Sequence, residues 1–285
     1  MKKSAKSFNP SIIGNFSQIS SICREVHVDR IVVALDERRG KLPVDQLLDC
    51  RLKGVKVEEG ASFSEYITGK LTVENLRPSS LFFADGFKRS NAIQQAKRFI
   101  DITTGLITLL LFSPLALIIS LAIILDSKGP IFYRQERVGQ DGRIFRLLKF
   151  RSMQVNAEEN EPIWAEVNDP RVTRVGKIIR KLRLDEIPQV VNVLKGEMSF
   201  VGPRPERPFF TEKLMKEIPF YSLRHNVKPG ITGWAQICYP YGASKEDALE
   251  KLKYDLYYIK HVSPFMDFTI LLETLKIVLF GSGSR

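Results

Sequence analysis

Between Tyr133 and Arg204 basic side chains recur within short, structured-looking stretches, YRQERVG, LLKFRSM, DPRVTRVGKIIRKLRLDE and VGPRP, and two adjacent acids, Asp185 and Glu186, stand among them. Phosphate is the natural counterpart of such cations. Arginine offers a planar fork that matches two phosphate oxygens and lysine a compact point charge, so a pyrophosphate site recruits both. Taken singly, each Arg is better read as part of a solvated basic face, and only convergence on one place makes a site. A carboxylate among phosphate-binding cations, with a divalent ion to lower repulsion, can attack phosphorus and form an acyl phosphate. Such chemistry would run in two halves: the carboxylate displaces a nucleoside monophosphate from a nucleotide sugar, and the phosphate of a lipid carrier then takes up the bound sugar phosphate. The neighbouring acid would steer the metal or act as base, and the cations would keep the anions from repelling one another.

The elements that must hold these residues follow from spacing. Ile187, Val190, Val191 and Leu194 recur at i, i+3, i+4, i+7, which predicts a helix from about Asp185 with Pro188 tolerated in its first turn. Both acids then stand at the helix N-terminus, where backbone N–H groups and the helix dipole favour a carboxylate and a bound phosphate. Asp185 fits an N-cap as well as a nucleophile. Further on, RHNVKPGITGWAQ combines the turn formers Pro229-Gly230 and Thr232-Gly233 with Arg224, Lys228 and Gln236, a pattern open to a structural loop or a substrate contact.

From Phe99 to Leu125 there is no Lys or Arg, one acid at Asp101, and a nearly continuous apolar run long enough to cross a bilayer core. Ser113-Pro114 lies in its middle, where Pro removes a backbone donor and opposes a straight helix, so a kink or break is expected. Two topologies satisfy this: a kinked spanning helix, or a helix-break-helix that dips into one leaflet and returns. Lys88, Arg89, Lys97 and Arg98 precede the run and Lys128, Arg134, Arg137, Arg143 and Arg146 follow it; cationic flanks on both sides favour re-entry. Residues 246–261 and 264–280 carry apolar and aromatic side chains at helical spacing, suited to the headgroup layer or to the protein core.

Ahead of the membrane segment, DRIVVAL (Asp29–Leu35) reads as a buried strand, Leu42–Leu52 as a helix with Pro in its first turn, Gly54–Val57 as a second strand and Phe63–Thr68 as a helix, with an apolar run at Leu81–Ala84. This βαβ-like rhythm makes residues 1–90 a small α/β piece, read as part of a larger Rossmann-like domain, although ALDERRG replaces the glycine-rich phosphate loop. The net charge of +11 calls for anionic partners. No zinc-finger, RNA-recognition or helix-turn-helix signature accompanies it, which sets nucleic acid aside. Cys23, Cys50 and Cys238 are too scattered for a disulfide framework and read as buried thiols in a reduced compartment.

Four stretches together carry a resemblance: KRFID with the apolar Ser-Pro segment; GPIFYRQERVGQDGRIFRLLKFRSM; NDPRVTRVGKIIRKLRLDEIPQVVNVLKGEMSFVGPRP; and RHNVKPGITGWAQ. Over about residues 95–280 the chain resembles the bacterial sugar transferases, the monotopic phosphoglycosyl transferases that initiate exopolysaccharide and glycoconjugate synthesis. The resemblance implies an α+β fold: a mostly helical catalytic domain over 91–285, with a re-entrant membrane helix-break-helix at about 99–125 and amphipathic interfacial helices, behind the small α/β domain. It implies that Asp185 is the nucleophile and contacts Mg²⁺, that Glu186 is its partner, that Lys149, Arg151, Arg180 and Arg204 are basic positions of the active site, and that Ser113 and Pro114 form the membrane break. A UDP-sugar and a polyprenyl phosphate, usually undecaprenyl phosphate, would be the substrates and UMP the released product, at the cytoplasmic face of the bacterial inner membrane among its lipids. Partners of that setting are a second copy of the chain or other polysaccharide assembly proteins. A noncatalytic membrane-bound scaffold in such an assembly is the alternative reading. Larger members carry several transmembrane helices ahead of a nucleotide-fold domain, so this chain looks like a naturally short or a truncated form.

Overall fold

The computed structural model describes residues 12–35, 42–73, 87, 90–155, 169–240, 242 and 244–280. Two compact units divide the chain, Met1–Gly69 and Lys70–Arg285.

In the first unit, α1 (Ile19–Val26) precedes β1 (Arg30–Val33), α2 (Val44–Leu52), β2 (Lys56–Glu59) and α3 (Gly60–Thr68). The strands pair in parallel from Arg30↔Lys56 to Val33↔Glu59, with α2 in the crossover. Parallel neighbours need such a crossover, so the βαβ rhythm of the sequence becomes a true βαβ unit. Leu47 and Cys50, one turn apart on α2, are its buried side chains. Pro43 takes the N-cap of α2 rather than its first turn. Among the described residues the sheet has two strands, which does not amount to a Rossmann fold, and residues 81–84 lie outside the described ones. Cys50 is buried and Cys23 half-buried, but Cys238, in the second unit, is exposed, contrary to the expectation of three buried thiols.

The second unit opens with α4 (Asn91–Asp126), a single helix of 36 residues with Pro114 inside it. The expected break into two helices is absent, and the local chemistry explains why. Pro114 has no N–H for the Leu110 carbonyl four residues back, and the Ser113 hydroxyl donates to that carbonyl at 3.0 Å in its place. The one acid of the apolar run is also matched: buried Asp101 accepts from the Ser199 hydroxyl (2.9 Å) and the Phe200 N–H (3.0 Å). On one half of α4, Arg98 donates to the Val193 and Leu194 carbonyls; on the other, Ile119 and Ile123 pack with Phe150 and Ile179. Between them, Leu106, Ile107, Leu109, Leu110 and Leu111 are exposed.

After α4 come the antiparallel hairpin of β3 (Phe132–Val138) and β4 (Ile144–Phe150), then α5 (Arg174–Lys181), a 3₁₀ turn at Leu184–Glu186, α6 (Gln189–Lys195), β5 (Ser199–Val201), α7 (Pro208–Glu217), a 3₁₀ turn at Tyr221–Asn226, β6 (Gly230–Thr232), α8 (Trp234–Cys238), α9 (Lys245–Lys260) and α10 (Pro264–Phe280). β5 and β6 pair in parallel. The main core gathers Leu252, Leu256, Tyr258 and Ile259 of α9 around Val201, Leu214, Ile218, Tyr221 and Ile270. This decides between the two readings of the tail helices. The apolar face of α9 belongs to the protein core, whereas α10 buries Ile270 and leaves Phe265, Phe268, Leu272 and Leu275 exposed.

Candidate active site

Three segments far apart in sequence bring the site together. Lys149 sits near the end of β4, opposite Tyr133 in the antiparallel register. Asp185 and Glu186 lie in the 3₁₀ turn ahead of α6, entered through Arg183, whose φ of 56° is left-handed and uncommon for a side chain of this size. Arg204 belongs to the loop after β5. The expected helix start at Asp185 is displaced: α6 begins at Gln189, after Pro188, and the acids occupy a tighter turn in front of it. Asp185 caps neither element with its side chain.

That turn is tied to the hairpin by Asn192, buried on α6. Its side-chain oxygen accepts from the Leu148 N–H at 3.0 Å and its amide donates to the Arg146 carbonyl at 2.8 Å, so one side chain pairs with the edge of β4 as a strand would. Lys149, the next residue along that edge, is thereby held over the acids. Its ammonium donates to Glu186 Oε1 at 3.3 Å, and Arg204 Nη2 donates to the same oxygen at 2.8 Å. Burial works against charge on Glu186, but the Arg204 and Lys149 charges outweigh it and hold the carboxyl below its usual range. Burial likewise pulls the Lys149 ammonium down against the attraction of Glu186, while Glu186, opposing the effect of burial, pushes Arg204 up.

Asp185 has a different environment. It is buried, and among the described residues its carboxylate accepts no hydrogen bond. Burial raises its pKa; the Lys149 charge opposes this, Glu186 adds to it, and Arg180 and Arg204 oppose it more weakly. One acid of the pair is therefore locked in an ion-pair network, and the other is left with free lone pairs inside a positive field. Separating two neighbouring carboxyls in this way gives them different chemical roles.

Lys149 and Arg204 thus meet on Glu186, and the Arg180 charge acts on Asp185. Arg151 does not. Its guanidinium is buried against the C-terminus of α4, donating to the carbonyls of Lys128 (2.8 Å) and Ser127 (2.7 Å) and to the Ser127 hydroxyl (3.0 Å). Those carbonyls end a helix and have no partner within it, so a buried cation there is well matched. Arg151 clamps the end of α4 to the end of the Lys149 strand. Gly129 makes room for the clamp: its φ is +129°, and a Cβ there would fall on Arg151 Nη1. Gly129→Ala is expected to destabilise the protein by about 2 kcal/mol through backbone strain and displacement of the guanidinium, read as a lowered melting temperature in detergent. An unchanged melting temperature would remove the clamp from the stability of the fold.

The RHNVKPGITGWAQ stretch resolves toward structure. Arg224 is buried, paired to Asp255 at 2.9 Å, and Gln236 donates to the Ile231 carbonyl at 3.3 Å. In the sequence Gln135 has no assigned role and Arg137 only that of a cation flanking the apolar run. Their alternation on β3 places Tyr133, Gln135 and Arg137 on the Lys149 face of the hairpin, where Arg137 donates to Gln135 (2.6 Å) and Gln135 to the Tyr133 hydroxyl (3.1 Å). The period-2 pattern was the available signal.

The profile of the family described as Bacterial sugar transferase matches residues 92–281. The chain belongs to that family. Every residue of the site just described lies within the matched span. The chain is 44% identical to the UDP-N-acetylgalactosamine-undecaprenyl-phosphate N-acetylgalactosaminephosphotransferase of Aeromonas hydrophila, over 84% of this chain and 56% of that protein. It is 37% identical to the UDP-glucose:undecaprenyl-phosphate glucose-1-phosphate transferase of Escherichia coli (strain K12), over 92% of this chain and 57% of that one. With the putative undecaprenyl-phosphate N-acetylgalactosaminyl 1-phosphate transferase of Bacillus subtilis (strain 168) identity reaches 52%, over 45% of this chain and 72% of the relative. The chain thus spans little more than half the length of the first two.

Proposed function

We propose that this bacterial sugar transferase family member transfers a sugar 1-phosphate from a UDP-sugar to undecaprenyl phosphate and releases UMP, through a covalent phosphosugar on Asp185. The observation that carries the reading is the buried Asp185 carboxylate, which accepts no hydrogen bond among the described residues, beside a Glu186 held by Lys149 and Arg204. In the first half-reaction an Asp185 oxygen bonds to the phosphorus bearing the sugar, and the bond from that phosphorus to the bridging oxygen breaks, so that UMP leaves with the bridging oxygen. In the second, a phosphate oxygen of the lipid carrier bonds to the same phosphorus and the Asp185 carboxylate departs, leaving a polyprenyl diphosphate sugar. Lys149 and Arg204 offer fixed positive charge to the phosphoryl oxygens, and a preorganised charge of this kind costs no rearrangement during the reaction. Glu186 keeps those two cations in register.

Among the described residues no three His, Cys, Asp or Glu side chains gather into a metal cage. Mg²⁺ needs none, since it commonly binds one or two carboxylates together with substrate phosphates. The unpartnered Asp185 carboxylate fits that donor set and would be the ligand. The ion would supply charge neutralisation on the phosphates.

Lipid access is supported by α4. Both of its halves pack against other elements of the second unit while the stretch from Leu106 to Leu111 stands exposed, which supports the reading that α4 enters the bilayer from one side and returns to it. The exposed apolar face of α10 extends the same contact. A site at the inner membrane, facing the cytoplasm where nucleotide sugars are made, accords with this reading.

The test is a panel of UDP-sugars offered to purified protein with Mg²⁺ and undecaprenyl phosphate in detergent, with the nucleotide product identified. UMP is expected. UDP would indicate a conventional glycosyltransferase, and no nucleotide from any donor would favour the noncatalytic scaffold.

A further inference from the structure

The loop that carries Arg204 cannot hold itself together. Pro203 and Pro205 contribute no N–H on either side of the arginine, so the loop depends on outside donors for its carbonyls. Each of four consecutive carbonyls finds one. Pro203 accepts from the Gly230 N–H (3.0 Å), Arg204 from Arg224 Nη2 (2.9 Å), Pro205 from Arg137 Nη1 (3.0 Å) and Glu206 from the Val138 N–H (2.9 Å). The donor to Arg204 itself is a buried charged side chain. Arg224 is fixed from two further directions, its Nη2 donating also to Asp255 at 2.9 Å and its Nη1 to the Tyr221 hydroxyl at 2.6 Å. Asp255 and Tyr221 are themselves buried, on α9 and in the 3₁₀ turn. Gly202 and Gly230 cross so closely that a Cβ on either would meet the other strand's backbone, which ties this frame to the β5–β6 pair.

We propose that Arg224 is a positioning residue: anchored by Asp255 and Tyr221, it holds the Arg204 carbonyl so that the Arg204 guanidinium stays on Glu186. This deepens the reading given above, in which Arg204 and Glu186 serve phosphoryl transfer. An arginine is required because its planar fork satisfies three acceptors at once, whereas a lysine offers one compact ammonium on a flexible stem.

Two measurements test it. The first uses Arg224→Lys and the double variant Arg224→Met/Asp255→Leu, in the full chain with detergent and undecaprenyl phosphate. Replacing a buried ion pair by apolar residues is often neutral for stability, so the double variant is expected to melt near the wild type. Both variants are expected to lose kcat for UMP release by about 100-fold with a smaller change in KM, the effect of a misplaced group in the site. If the double variant keeps wild-type kcat, Arg224 does not position the site and the proposal fails. The second measurement needs no turnover: a double-mutant cycle on thermal stability between Arg224→Lys and Glu186→Gln. If Arg224 holds Arg204 on Glu186, each single change loses the same contact and the two melting losses do not add. Additive losses overturn the proposal, even if the wild-type protein releases no UMP and the phosphosugar reading falls on its own.

Discussion

Asp185→Asn is expected to fold as the wild type and to release no UMP, a loss of at least about 10⁴-fold, as when a covalent nucleophile is removed. An amide cannot form the acyl phosphate. The variant separates chemistry from folding unusually well, because burial raises the pKa of the Asp185 carboxyl and no hydrogen bond from the described residues compensates for it. Its charge is a net burden on the folded state, so the neutral amide should leave the melting temperature equal or higher. Wild-type protein given nucleotide sugar alone should gain the mass of one sugar phosphate, and Asp185→Asn should gain none. Labelling of the variant at the wild-type extent would mean that another side chain is the nucleophile. Glu186 gives a contrasting case. It is engaged by both Lys149 and Arg204, so Glu186→Gln should slow turnover by releasing the cations while Asp185 remains able to label.

Lys149→Met should have the second largest effect, a loss of about 10² to 10³ in kcat, comparable to removing one donor from a preorganised anion site. Its pH signature is more specific than its size. Turnover needs Asp185 ionised, and the ionised fraction grows as pH rises past its pKa. That pKa lies above the usual aspartate value because of burial, and the Lys149 charge is the chief influence holding it down. Removing the charge should therefore move the acid limb of the kcat/KM profile to higher pH, while Lys149→Arg should move it less. Glu186 keeps Arg204 as its partner and should not become the titrating group. An acid limb that stays in place or moves to lower pH in Lys149→Met would show that the lysine does not act on Asp185.

Arg151 illustrates why neighbouring letters in a motif can have unrelated functions. Two residues apart on a strand, Lys149 and Arg151 would share a face, and the sequence reading placed both at the phosphates. β4 ends at Phe150, however, and Arg151 turns toward the carbonyls at the end of α4. Nothing in the local sequence announces that a helix C-terminus some 25 residues upstream in the chain will need those donors. Pro114 carries the complementary lesson. Proline alone predicts a break, but the Ser before it supplies the missing donor, and the helix continues.

Much was legible from sequence because it follows from local physics. An apolar run without cations must avoid water, a βαβ rhythm must cross over, and an Asp-Glu pair among arginines and lysines suits phosphate. Which of two equivalent-looking acids is free and which is neutralised could not be read that way. Lys149 lies 37 residues before Glu186 and Arg204 lies 18 after it, and only the folded chain brings both onto one carboxylate oxygen and leaves Asp185 without a hydrogen-bond partner among the described residues. Burial and charge at short range set that difference, and both are properties of the tertiary arrangement rather than of any stretch of residues.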